Sequence, residues 1–359
     1  MVTMFCRFYP PCVGGVEYVA YNVAEQINCK TIFCMNHKFQ LMPKVEHLDN
    51  QFIYRGEYWG RIGGIDLNIS LIFISLFCVL FKKKEKYIYH FPCIQYMMSL
   101  PCMGKNCVIL NHALPNQNKI GKVYKYFFKK LVNKKTNIVV TGEKNKIFEE
   151  GREQIIPLCL SKEDEKLALE CHHSTQEPTV VFVGRNCKYK GIHLLVDGWK
   201  SLVDENKNGN FRLLLIGPGT EIYNDEKFQI RGLGKISKRL MYNHLSKGCI
   251  LVMPSTNNAE AFGLVQLDAA ITTNIIITAD VGTESSNLFP GKEGYYKIKS
   301  NHVGQISDIL ERIINHKSLA QISEQGEQIK QEYFVKYSYD RIQEKWKKYL
   351  NSIGFPILQ

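Results

Sequence analysis

No Cys-x-x-Cys pair occurs among the 12 cysteines of this 359-residue chain, and no His or Cys residues are paired at metal-ligand spacing. A zinc site is therefore not expected. The N-terminus has no basic–apolar–small cleavage pattern, so the scattered thiols, from Cys6 to Cys249, read as reduced and cytosolic rather than as a disulfide set. No repeat or low-complexity tract stands out. No apolar run has the 20 or so residues that a spanning helix needs. The 13-residue run at 69–81 (ISLIFISLFCVLF) is closed upstream by Asp66 and Asn68 and followed by Lys82, Lys83 and Lys84. It reads first as a buried helix, and the lysines keep a shallow interfacial helix open.

Acidic residues are scarce in the first half. Residues 1–162 hold 22 Lys and Arg against 11 Asp and Glu, whereas the rest holds 24 against 23, within a net charge of +12. The first half is thus built to face something anionic, either lipid headgroups or nucleic acid. Within it Lys122, Lys125, Lys129, Lys130, Lys134 and Lys135 interleave with Tyr124, Tyr126, Phe127 and Phe128, a mixture suited to an anionic membrane face. Length suits two domains, and 45% hydrophobic with 22% charged residues is an ordinary globular composition.

The second half alternates strand and helix. The continuous apolar run at 179–183 has strand length, further strands are expected at 211–216, 249–253 and 275–278, and 190–203 carries Ile192, Leu194, Leu195, Trp199 and Leu202 at helical spacing. Runs buried on both faces and separated by helices predict a parallel, doubly wound α/β sheet. The first half repeats the pattern less cleanly, with strands expected at 2–5, 31–34, 87–90, 108–110 and 138–141 and helices at 18–27, 67–81 and 123–132. The polar stretch 160–178 reads as a linker, and 337–352 as a terminal helix rich in Lys, Tyr and Trp.

Ligands in open α/β sheets bind at the carboxyl ends of strands, where four loops bear chemistry. Gly14-Gly15 open a helix with Glu17, leaving its first amides uncovered, or form only a turn. The segment 184–191 (GRNCKYKG) carries Arg185 and Lys190, two cations suited to a diphosphate, or is a solvated loop. The segment 258–268 (NAEAFGLVQLD) puts Glu260 before a helix and Asp268 two turns inside it. Eight helical residues rise about 12 Å, enough for one carboxylate to reach a sugar and the other a ribose. Phe262, Gly263 and Leu264 would expose amides at that helix start, where a diphosphate is welcome. Gly234, in 232–237 (GLGKIS), is suited to lining a base pocket.

Three of these segments in this order, Pro10-Pro11…Gly14-Gly15-Val-Glu17, Phe182-Val-Gly-Arg185…Lys190-Gly191 and Pro254-Ser255…Glu260-Ala-Phe-Gly-Leu264…Asp268, resemble the retaining glycosyltransferases of family 4. The match runs from about residue 7 to the terminal helix. The resemblance implies the GT-B fold, two Rossmann-like domains with the active site in the cleft between them. Residues 1–160 would form an acceptor-side domain, 161–335 the nucleotide-sugar domain, and 336–359 a helix packing back toward the first. His90-Phe91-Pro92 and His112 resemble positions in bacterial members that build surface polysaccharides.

By that resemblance Gly15, beside Gly14, offers its amide to the donor phosphate, and Arg185 and Lys190 neutralise the departing nucleoside diphosphate. Glu260 holds the transferred sugar, the amides from Phe262 to Leu264 the phosphates, and Asp268 the ribose. His112 reaches the donor sugar unless it is a core histidine; for His90 the structural role is favoured. The chain has no Asp-x-Asp motif, so a metal-bridged diphosphate and any metal cofactor are not expected. The implied partners are a nucleotide-diphosphate sugar, GDP-mannose or a UDP-hexose, and a lipid-linked saccharide at the inner, anionic face of the cell membrane. Nucleic acid is not an expected partner. Asp268 stands where the family usually has Glu. Ile271-Thr272-Thr273-Asn274-Ile275 replaces the usual turn after Asp268-Ala-Ala, and Gly294-Tyr-Tyr-Lys-Ile298 reduces a later segment. The rival readings are an inactive family member acting as a scaffold and a nucleic-acid-binding protein, the latter leaving Glu260 and Asp268 unexplained.

Overall fold

The computed structural model describes residues 2–12, 14–36, 42–48, 50–62, 65–91, 93–112, 119–148, 151–171, 178–272 and 274–355. Pro92, Thr273 and residues 172–177 of the stretch read as a linker lie outside them. The chain forms two compact units, Met1–Leu158 with Ile342–Gln359, and Cys159–Arg341.

The first unit contains strands β1 (Val2–Phe5), β2 (Thr31–Met35), β3 (Val45–Leu48), β4 (Gln51–Gly56), β5 (Gly60–Ile62), β6 (Ile65–Leu67), β7 (Lys86–Phe91), β8 (Cys107–Asn111), β9 (Asn137–Val140) and β10 (Glu153–Ile155). Its helices are α1 (Gly15–Gln26), α2 (Ile69–Phe81) and α3 (Lys119–Leu131), with a 3-10 segment at Ile94–Cys102. Eight strands lie in the order β10-β9-β8-β7-β1-β2-β4-β3, parallel except for β3, which runs antiparallel to β4 at the edge. β5 and β6 form a separate hairpin. β1 and β8 are buried throughout, as fully covered parallel strands must be. Phe5 anchors the core, stacked on Tyr89 at 4.9 Å and on Phe33 at 5.1 Å.

Asn68 caps α2, its side chain accepting from the Leu71 N–H at 2.7 Å. The helix is core on one face only. Leu71, Ser75, Cys78 and Val79 are buried, whereas Phe73, Phe77, Leu80 and Phe81 are exposed.

The second unit opens with α4 (Lys162–Glu170) and continues through β11 (Thr179–Val183), α5 (Ile192–Asp204), β12 (Arg212–Ile216), β13 (Ile230–Gly232), α6 (Lys238–Lys247), β14 (Ile250–Met253), α7 (Val265–Ile271), β15 (Ile275–Asp280) and β16 (Tyr295–Lys299). Helices α8 (Val303–His316), α9 (Leu319–Lys336) and α10 (Tyr339–Ser352) follow, and α10 belongs to the first unit from Ile342. All six strands are parallel, in the order β13-β12-β11-β14-β15-β16. The chain winds outward from β11 to β13, returns to β14 beside β11, and winds the other way. The carboxyl ends of β11 and β14 therefore flank the point where strand order reverses, the place such sheets bind ligands.

Two expectations need correction. The stretch read as a linker contains α4, because Ser161 caps it by accepting from the Asp164 N–H at 3.1 Å and Glu163, Asp164 and Glu165 favour the positive end of the helix. Asp268 lies in the first turn of α7, not two turns in. Gly263 adopts φ +77°, a left-handed conformation that no continuing helix allows, so helix begins only after it.

Candidate functional site

The loops after β11 and β14 are joined through a glycine. Gly191 has φ +69°, and a Cβ built on it would stand 2.0 Å from the Pro254 carbonyl oxygen. Only glycine allows that approach. Beside it the Thr256 N–H donates to the Tyr189 carbonyl at 2.8 Å. Lys190 is thereby delivered to Glu260, its ammonium donating to the carboxylate Oε2. The two side chains are only 16% and 10% exposed, and they lie 70 residues apart in sequence. Burial works against the Lys190 charge, but the Glu260 carboxylate and neighbouring Tyr189 outweigh it and raise the ammonium pKa above its ordinary 10.5.

Glu260 is also fixed through its backbone. Its carbonyl accepts from Thr283 Oγ1 at 2.5 Å and from Ser285 Oγ at 3.3 Å, both on the loop after β15. The Gln266 side-chain amide donates to the Ser285 carbonyl at 2.6 Å, and the Tyr295 hydroxyl to Gln266 Oε1 at 3.1 Å. Between Glu260 and α7, Phe262 is buried edge-on to Tyr337. The Phe262, Gly263 and Leu264 amides donate to no backbone carbonyl among the described residues.

Asp268 belongs to a second cluster. Its Oδ1 accepts from the Tyr242 hydroxyl at 2.5 Å and lies 3.9 Å from Lys238 Nζ, which is 2.9 Å from Asp164. Burial pushes the Asp268 carboxyl up, against the opposing pull of Lys238 and Tyr242. Arg185 is exposed on the loop after β11, in no ion pair among the described residues. Gly234, at φ +67°, accepts from the Gly217 N–H at 2.8 Å and donates to Thr220 Oγ1 at 3.0 Å. Sequence reasoning missed Thr283, Ser285, Tyr242 and Lys238. Hydroxyls spread over a loop carry no local pattern; Ser237, which caps α6 by accepting from the Leu240 N–H at 3.2 Å, is the one local signal beside Lys238.

The remaining candidates lie in the first unit. Gly14 and Gly15 start α1; a Cβ on Gly14 would meet Glu17 Oε2 at 2.2 Å, whereas Gly15 has open space. His112 follows β8, buried, with its ring stacked on His90 at 4.4 Å. Burial, aided by His112, holds the His90 imidazole well below its usual pKa. Among the described residues no group of three His, Cys, Asp or Glu is placed to hold a metal ion.

The family described as "Glycosyl transferases group 1" matches residues 177–316, the segment containing β11 to β16 and the Lys190–Glu260 pair. An O-antigen chain mannosyltransferase C of Escherichia coli is 21% identical over 341 residues, covering 88% of each chain. A D-rhamnosyltransferase of Pseudomonas aeruginosa is 22% identical over 301 residues, covering 77% of this chain and 76% of its own. Among solved structures, Anabaena HepE in complex with UDP superposes with a TM-score of 0.69 at 12% identity, covering 98% of this chain and 99% of that one. The chain is a GT-B glycosyltransferase. Its two parallel-sheet units are the Rossmann-like domains of that fold. In this glycosyltransferase the matched family segment carries Arg185, Lys190, Gly234, Glu260, the Phe262 to Leu264 turn and Asp268.

Proposed function

We propose that this glycosyltransferase is a retaining, metal-independent hexosyltransferase of family 4 that moves a hexose from GDP-mannose or a UDP-hexose to a lipid-linked saccharide during O-antigen or capsule assembly. The observation that carries the reading is the buried Lys190–Glu260 pair at the point where strand order reverses. A fixed cation and a carboxylate in one low-dielectric spot match the two opposite charges that glycosyl transfer creates. The names of the mannosyl and rhamnosyl relatives support a surface-polysaccharide hexosyltransferase.

In this reading the bond between the anomeric carbon and the diphosphate oxygen breaks, and its electron pair leaves with the nucleoside diphosphate. Lys190 and Arg185 offset the charge that builds there, assisted by the amides from Phe262 to Leu264. The acceptor hydroxyl attacks from the same face of the sugar and passes its proton to the departing phosphate. Glu260 holds hydroxyls of the transferred sugar, and Asp268 those of the ribose. Gly15, beside Gly14, and His112 keep the roles the family resemblance gives them, at the donor phosphate and the sugar. Residues 1–160 receive the acceptor at the anionic inner face of the membrane, and 161–335 hold the donor.

Thermal melts with UDP, GDP, ADP and dTDP test the donor half. A nucleotide at 100 times its Kd stabilises by about 2.7 kcal/mol, or roughly 5–10 °C for a unit of this size. Binding of one nucleotide, followed by sugar transfer from its conjugate to a polyprenyl-diphosphate saccharide, is the expected result. No shift with any of the four at millimolar concentration overturns the reading.

A further inference from the structure

We infer that the outer face of α2 is a docking ridge for an anionic lipid bilayer, entering the interfacial layer with Phe73, Phe77 and Phe81 while the adjoining lysines engage the headgroups. This deepens the membrane-linked part of the proposed function and rests on that reading for its biological setting; the physical observations come from the first unit alone.

No residue of α2 carries a charge. One stripe, Leu71, Ser75, Cys78 and Val79, is buried against the core. The opposite stripe, Ile69, Phe73, Phe77, Leu80 and Phe81, follows the three- and four-residue spacing of a single helix face and is exposed, Phe73 by 66% and Phe81 by 73%. The Phe77 and Phe81 rings pack 5.1 Å apart, and both remain more than half exposed. A helix on a water-facing surface ordinarily presents charged residues outward, and a contiguous apolar ridge of this kind marks an interaction site.

The ridge does not stand alone. The 3-10 segment Ile94–Cys102 packs against both α2 and α3 and exposes Met98. On α3, Tyr124 and Phe128 turn inward, whereas Val123, Tyr126 and Phe127 are exposed with Lys122, Lys129 and Lys130. Lys82, Lys83 and Lys84 follow α2 directly and are exposed; among the described residues Lys82 alone is paired, 3.7 Å from Glu85. The surface thus combines aromatic wedges with a surplus of ammonium groups.

Charge decides the occupant. A second copy joined through the same ridge in a two-fold dimer would bring identical lysine clusters together, which repel. Anionic headgroups neutralise them, while the acyl boundary receives the rings. Thirteen helical residues span about 20 Å, too short to cross a bilayer and suited to lying along its surface, with the rings buried roughly 5–10 Å deep. Insertion of the rings also sets a limit on salt: screening weakens the lysine contribution and leaves the apolar one.

Vesicle flotation of the full chain provides the test, using phosphatidylglycerol-containing and pure phosphatidylcholine vesicles at 0.05 and 0.5 M NaCl. The wild type is expected to float with anionic vesicles and to retain part of that binding at high salt. Phe73→Ser, Phe77→Ser and Phe81→Ser should each weaken binding about tenfold. Lys82→Gln, Lys83→Gln and Lys84→Gln combined should remove the preference for anionic lipid. Phe77→Cys carrying an environment-sensitive dye should shift to the blue only with anionic vesicles. Flotation unchanged by the phenylalanine variants, no flotation at low salt, complete release at high salt, or a dimer that only the phenylalanine variants dissolve would each overturn the inference. Nucleotide-induced thermal shifts on the same proteins report the donor site independently, so loss of one reading does not mimic loss of the other.

Discussion

The Tyr242 hydroxyl donates to Asp268 Oδ1 at 2.5 Å, joining α6 to α7 across 26 residues of sequence. Asp268 is buried, and without that donor its carboxylate would keep, among the described residues, only Lys238 at 3.9 Å. In the proposed function the free oxygen of Asp268 meets the ribose, which makes Tyr242 a positioning residue. Tyr242→Phe should therefore raise the Kd for nucleotide about tenfold, the worth of one hydrogen bond to a charged group. The kcat at saturating donor should stay within about threefold of wild type. Isothermal titration beside steady-state kinetics separates the two, and a kcat loss with unchanged affinity would remove Tyr242 from the ribose side.

Asp268 itself should trade stability for binding. Burial raises its carboxyl pKa above 3.8 in the folded state. The folded protein then holds this proton more tightly than the unfolded chain, so stability falls as pH rises through the window above 3.8, and the loss persists at neutral pH. Asp268→Asn keeps an acceptor for Tyr242 and leaves Asp164, 2.9 Å away, to hold Lys238. The variant should melt higher than wild type at pH 7, with a gap that widens from pH 4 upward, while losing nucleotide affinity. Melting curves across that range check the sign. A gap that narrows with pH would mean that the carboxylate is stabilising.

Removing Lys190 should cost more than its charge at the diphosphate. Lys190→Ala leaves the Glu260 carboxylate buried with its counter-ion gone, which destabilises by about 3 kcal/mol and removes about 10²–10³ of the rate. Lys190→Met combined with Glu260→Gln should recover the stability and none of the activity. Arg185, exposed and in no ion pair among the described residues, should lose rate alone when changed to Ala. The raised Lys190 pKa places its stabilisation at every pH below 10.5, to be lost only as pH climbs through the folded value. Additive losses in the double variant would show that Lys190 and Glu260 are not coupled.

Much of this was legible in the sequence for physical reasons. β11, β12, β14 and β15 are buried on nearly every residue, so each carries three or more consecutive apolar residues. β3 has no buried residue, and β5, β6 and β13 have three residues each, too few for a period to register. α4 reads as a linker because its first turn is acidic, although the same acids complement the helix dipole. The Glu260 and Asp268 positions stood out in one segment. Their partners Thr283, Ser285, Lys238 and Tyr242 come from other loops and helices, and only the folded sheet brings them near.

Gly191 makes the junction of the two loops testable with one methyl group. Its φ of +69° disfavours any side chain, by roughly 1–2 kcal/mol, and the 2.0 Å approach to the Pro254 carbonyl would force backbone to move. Gly191→Ala should therefore lower the melting temperature and also displace Lys190, the preceding residue. A fall in kcat/KM of about tenfold or more is expected, measured on the fraction that remains folded. Gly282→Ala, also at positive φ but with nothing within 4 Å, is the control that carries the backbone strain without the collision. Equal effects of the two would mean that the loop contact is unimportant.

Thr283 offers the narrowest test of how Glu260 is aimed. Its hydroxyl donates to the Glu260 carbonyl at 2.5 Å, and Ser285 contributes a longer bond at 3.3 Å. Thr283→Val keeps shape and volume and deletes the short bond together with the 3.0 Å contact between the Thr283 and Ser285 hydroxyls. Ser285 still satisfies the carbonyl, so the stability cost should stay near 1 kcal/mol. The carboxylate sits on the same residue, and a shift of its backbone by a fraction of an ångström moves the acid relative to the sugar. Catalysis is more sensitive to such displacement than binding is. The expected result is a kcat reduced about tenfold with the nucleotide Kd unchanged, because Asp268 and the Phe262 to Leu264 turn are untouched. Thr283→Ser, which restores the hydroxyl, should restore kcat. If Val and Ser variants behave alike, the bond from Thr283 to the Glu260 carbonyl does not aim the acid, and Lys190 with Ser255 and Ser285 holds it in place.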